Sequence, residues 1–66
     1  MNTAAARALM LAQRDTLNEA IDALDEHTNQ VSEGNWSASV KSRKMASIKA
    51  AASRGGVDIS AWDGTS

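Results

Sequence analysis

Met10, Leu17, Leu24 and Val31 recur at a strict seven-residue interval, and no glycine or proline interrupts the chain from Thr3 to Glu33. An apolar column of that period, in a stretch free of backbone breakers, is the mark of an amphipathic helix. At 100° per residue Met10, Leu17, Ile21, Leu24 and Val31 fall within one arc of about 80°. Asp15, Glu19, Asp22, Glu26 and Glu33 fall within another of about 60°, almost opposite. The spacing therefore predicts one long helix, about residues 3–33, with a buried seam and an acidic back. Asn2 or Thr3 is placed to cap its start, and Gly34 to end it.

Taking the seven-residue column as one seam of a coiled coil makes Arg7, Arg14, Ile21 and Thr28 the other, and only Ile21 of these is apolar. A two-stranded coiled coil wants both columns filled. The half-filled seam suits a shorter neighbour with small residues. The chain supplies one in a second predicted helix, about 38–54, capped by Ser37 or Ser39 and stopped at Gly55 and Gly56. Met45, Ile48 and Ala52 share one of its faces, and its alanines keep it slim. Trp36 reads as the plug of the connecting turn.

Val57, Ile59 and Ala61 alternate with Asp58 and Ser60, which is strand-like spacing in a segment too short to make a sheet. The expectation is an extended C-terminal tail folded back on the helices and anchored by Trp62. The fold class that follows is all-α: an antiparallel helical hairpin with that tail, residues 1–62 forming one small domain and residues 63–66 disordered.

Composition narrows the functions open to such a chain. At 66 residues the core is small and marginal, and burial against another copy or a larger protein is expected. There is no cysteine, so disulfides, thiolate catalysis and cysteine-zinc sites are all excluded. No apolar run reaches the length of a membrane span, and Arg7 interrupts the one stretch resembling a signal-peptide core. A cytoplasmic protein, or one within a virus particle, is the expectation, with no membrane partner. The net charge is −1, but it is unevenly spread. Residues 1–33 carry two arginines against six acids, leaving −4, and residues 34–66 carry five cations against two acids, leaving +3.

Five groups of residues are candidates for function. Met10, Leu17, Ile21, Leu24, Val31, Met45 and Ile48 form the interaction seam. Asp15, Glu19, Asp22, Glu26 and Glu33 form an acidic surface that either docks a basic partner or merely keeps an alanine-rich helix solvated. Lys41, Arg43 and Lys44 lie at the start of the second helix, where the helix dipole disfavours cations. With the nearby serines they make a candidate anion or phosphate contact, the alternative being three solvated cations. Trp36 and Trp62, the only aromatic residues apart from the single histidine, read as core plugs or as partner anchors, Trp62 being the better anchor. His27 is alone, without a second histidine or a cysteine to complete a metal site.

No catalytic, cofactor-binding or metal-binding motif is legible, and no cofactor is expected. The leading expectation is a small non-enzymatic protein–protein interaction subunit. It would be a homo-oligomer or an accessory component of a larger assembly, such as a phage head, neck or tail. Two alternatives are a nucleic-acid-binding regulator using the basic second helix and an inhibitor presenting the acidic helix face. The first lacks both the third helix and the basic excess that helical DNA readers have.

Overall fold

A computed structural model describes all 66 residues and contains three helices and no strand. Helix α1 spans Thr3–Leu11, α2 spans Arg14–Ser32 and α3 spans Ala38–Arg54. The all-α expectation holds, and the single long helix does not. The chain turns at Ala12 and Gln13, and α1 folds back against α2. Arg7 and Asp25 are joined by a two-point ion pair, Nε to Oδ1 at 2.8 Å and Nη2 to Oδ2 at 3.1 Å. In a continuous helix they would stand about 27 Å apart.

Nothing in the local sequence announces this break. Gln13 leaves helical geometry at φ −119° and ψ 39° with no side-chain cap of its own, although Thr16 donates from its hydroxyl to the Gln13 carbonyl. The reason is tertiary. Folding back lets Ala6 and Met10 become fully buried, which a straight helix projecting beyond its short neighbour would not allow. Burial of a side chain like methionine is worth about 2 kcal/mol. That exceeds the few tenths per residue separating good from ordinary helix formers, so packing overrides propensity.

The other helix ends follow local rules. Asn2 accepts the Ala5 N–H at 2.9 Å and caps α1, and Ser37 accepts the Val40 N–H at 3.3 Å and caps α3. Helix α2 ends in a Schellman turn: Gly34 takes φ +72°, its N–H reaches the Val31 carbonyl, and the Asn35 N–H reaches that of Gln30. Helix α3 ends the same way, with Gly56 at φ +89° and the Val57 N–H bonded to the Ala52 carbonyl.

The core joins Ala6 and Met10 of α1, Leu17, Ala20, Ile21 and Leu24 of α2, and Ile48 and Ala52 of α3. Ile59 and Trp62 close it from the C-terminal segment. That segment is not extended throughout. The Trp62 N–H bonds back to the Ile59 carbonyl at 2.9 Å, and the Ser60 N–H to Asp58 Oδ1 at 2.9 Å. The resulting turn brings Ile59 and Trp62, three apart, to the same side and leaves Ala61 exposed, which breaks the expected alternation.

Both chain ends meet at this turn. The Met1 nitrogen donates to the Ala61 carbonyl at 2.6 Å, the Asp63 N–H to the Met1 carbonyl at 3.0 Å, and the Thr3 N–H to the Thr65 carbonyl at 2.7 Å. Residues 63–66, where disorder is expected, thus contribute Asp63 and Thr65 to the junction, and Thr65 also bonds Asp63 Oδ1 through its N–H and its hydroxyl.

Candidate functional site

Where the two ends meet, three rings come together. His27 lies on α2 one turn beyond Leu24, so the row Leu24, His27, Val31 continues the seam with a histidine in it. Its ring is edge-on to Trp62, 5.1 Å between centroids, and to Trp36, 5.5 Å between centroids. Trp62 is 1% exposed, and its indole N–H donates to the Thr3 hydroxyl at 2.9 Å. Trp36 is half-buried and carries the Lys44 ammonium over its outer face at 5.4 Å. His27 is 3% exposed and its Nε2 has no hydrogen-bond partner. A neutral imidazole needs only one donor satisfied and tolerates a lone pair facing apolar surroundings better than a charge. Burial, opposed by a hydrogen bond with the Lys41 backbone and reinforced by the Lys41 cation, holds the His27 pKa below its ordinary value.

The sequence reading of His27 as a lone candidate metal ligand does not reach this cluster. The signal was present in its spacing from Leu24 and Val31. Of its two readings, core plug and partner anchor, the burial of Trp62 agrees with the core plug, and in this arrangement its ring offers no surface to a partner. Trp36 remains half-open.

The seam residues also lie inside the chain. Met10, Leu17, Ile21, Leu24 and Ile48 are buried, and Val31 and Met45 are half-buried. The folded-back α1 and the C-terminal turn supply the neighbours for which the half-filled seam called.

The acidic residues Asp15, Glu19, Asp22, Glu26 and Glu33 are all exposed on α2. Lys41 is half-buried in a cleft of about 260 Å³ beside His27, Lys44 lies over Trp36, and Arg43 is exposed. Of the serines expected to help hold an anion, Ser37 caps α3 and shares a 3.2 Å hydroxyl contact with Ser39, while Ser42 lines the cleft beside Lys41.

The Arg7–Asp25 pair is the one ion pair within the chain. The hydrogen bond from the guanidinium holds the Asp25 carboxyl below its usual range. A groove of about 560 Å³ runs along this pair between Thr3 and Ala4, Thr28 to Ser32, and the Gly64–Ser66 end. No three histidine or carboxylate side chains converge in a metal-binding arrangement. No helix is long and apolar enough to cross a membrane. Compared with known proteins, the chain matches no family model, no curated protein and no solved structure.

Proposed function

We propose that this protein is a small non-enzymatic interaction subunit that associates through its oppositely charged faces. The observation that carries the reading is charge left unpaired within the chain. Asp15, Glu19, Asp22, Glu26 and Glu33 are exposed, and none reaches Lys41, Arg43, Lys44 or Arg54, since the sole ion pair is Arg7–Asp25. In this reading α2 and α3 form an antiparallel hairpin. Support comes from the side chain of Leu17, early in α2, lying against Gly55 after α3, and from His27, late in α2, sharing a cleft with Lys41 at the start of α3.

The acidic back of one copy then meets the basic half of the next. Such a head-to-tail contact closes into rings or extends into arrays. Helix α1 adds an uncharged outer surface, with Leu9 46% and Leu11 37% exposed. That surface offers apolar area beside the charged stripe.

Sedimentation equilibrium at low and high salt, with helicity followed by circular dichroism, tests the reading. Association at low salt that dissolves at high salt is expected, because exposed charges are screened within about 10 Å at 0.1 M salt. Reversing Glu19 and Asp22 to lysine should abolish association without loss of helix. A folded monomer at low salt, whatever its concentration, would overturn the proposal. Binding of duplex DNA at low salt would move the weight to Lys41, Arg43 and Lys44 as a phosphate-contacting surface.

A further inference from the structure

The three-ring cluster sits where α2, α3 and both chain ends meet, and its central member is the only histidine of the chain. Its Nε2 is buried and unpartnered, and each neighbouring ring presents an edge or face to it rather than an acceptor. A second proton on His27 would create a donor at Nε2 with no acceptor, and a charge beside two apolar rings. The charged groups around it do not supply that acceptor. On α2 the residues one turn away, Ala23, Leu24, Gln30 and Val31, carry no charge. From α3, Lys41 lines the same cleft and Lys44 covers the outer ring, and both repel a cation. From the C-terminal segment, Asp63 lines that cleft and stays ionised; its Oδ1 accepts from the Thr65 N–H and hydroxyl, and it makes no hydrogen bond to His27 Nε2.

The ring that links His27 to the chain ends is Trp62. Its indole N–H bonds Thr3, and its segment, which has no helix or strand after α3, meets the N-terminus through three further hydrogen bonds. Helices α2 and α3 also pack at the end remote from the histidine, where the Leu17 side chain lies against Gly55.

We propose that His27 is a proton-operated latch: protonated, it no longer fits between Trp36 and Trp62, and the segment from Val57 to Ser66 releases the N-terminus while the helices stay formed. Release exposes Ile59 and Trp62 together, so a binding surface absent at neutral pH appears on mild acidification. The device is independent of the charged faces argued above.

The sign follows from linkage. Burial lowers the folded-state pKa of His27 from its ordinary 6.5, so the open state binds the extra proton more readily. Closure is then fully favoured above that value and weakens as pH falls through the lowered one. Asp25, Asp58 and Asp63 are all held below the ordinary carboxylate value and stay charged through this window.

Hydrogen exchange by NMR reads the latch directly, through protection factors of the Trp62 indole N–H and the Thr3 and Asp63 amides. Between pH 6.5 and 5.5 these should fall by up to about tenfold, with helical circular dichroism unchanged and the midpoint coinciding with that of the His27 ring shifts. His27→Gln, which cannot take the charge, should show no such fall; His27→Phe, which fills the space between the rings, serves should the glutamine variant fail to fold. Protection that is constant or rises on acidification, an equal loss in the non-titrating variant, or simultaneous loss of helix would overturn the proposal.

Discussion

Along the contact between α2 and α3, buried side chains come from two regular helices at helical spacing, Leu17 and Leu24 from one, Ile48 and Ala52 from the other. At the junction of the chain ends the packed rings come from three separate stretches, the buried His27 and Trp62 and the half-buried Trp36. There they are held by single hydrogen bonds between residues some 60 apart in sequence, such as Trp62 to Thr3. The first region forms from local propensity plus one stripe. The second closes loops spanning the whole chain, so its ordering entropy is larger and its loss more easily separated from loss of helix.

Substitutions sharpen that contrast. Trp62→Ala has the largest expected effect. It empties the biggest buried site and removes the bond to Thr3, costing roughly 3–5 kcal/mol, to be read by urea denaturation. If the junction is a separable unit, part of this loss appears as weakened protection at Thr3 and Asp63 before helicity falls. Leu24→Ala, fully buried in the seam, should cost roughly 2–5 kcal/mol and lower helicity and junction protection together, in one transition.

The two helix-ending glycines separate packing from backbone strain. Gly55 has an ordinary φ of −88°, but a methyl group there would strike the Leu17 side chain, so Gly55→Ala should cost roughly 1–3 kcal/mol by overpacking. Gly34 has open space but φ +72°, so Gly34→Ala should cost about 1 kcal/mol through strain alone. Pairing each with Leu17→Ala discriminates them: the smaller leucine site should relieve Gly55→Ala and leave Gly34→Ala unchanged. The smallest effect is expected for Arg7→Gln. Its pair with Asp25 is well over a third exposed, so thermal melts should show a slight loss that vanishes in high salt.

The α2–α3 side was legible because periodicity encodes it. The acidic stripe, the caps at Asn2 and Ser37, and the stops at Gly34 and Gly55–Gly56 all have local signatures. The turn at Ala12 and Gln13 has none: Ala12 and Gln13 favour helix, and only the burial won by Ala6 and Met10 on folding back decides against it. Arg7 facing Asp25 could not be inferred while the helix was taken as straight. The ring cluster fell between the two cases, since the place of His27 in the seam was readable but its company was not. Trp36 and Trp62 reach it through a loop and a turn whose course no repeat specifies.

The fold-back of α1 is what distinguishes this architecture from a long helix with a short partner, and one distance decides it. The chain has no cysteine, so spin labels can be placed cleanly through Ala4→Cys and Ser32→Cys, two positions lining the same groove. Their separation by pulsed electron resonance in a dilute sample should fall well below the 30 Å long dimension of the molecule. A separation near the roughly 42 Å of a continuous helix would contradict the account and restore the single long helix.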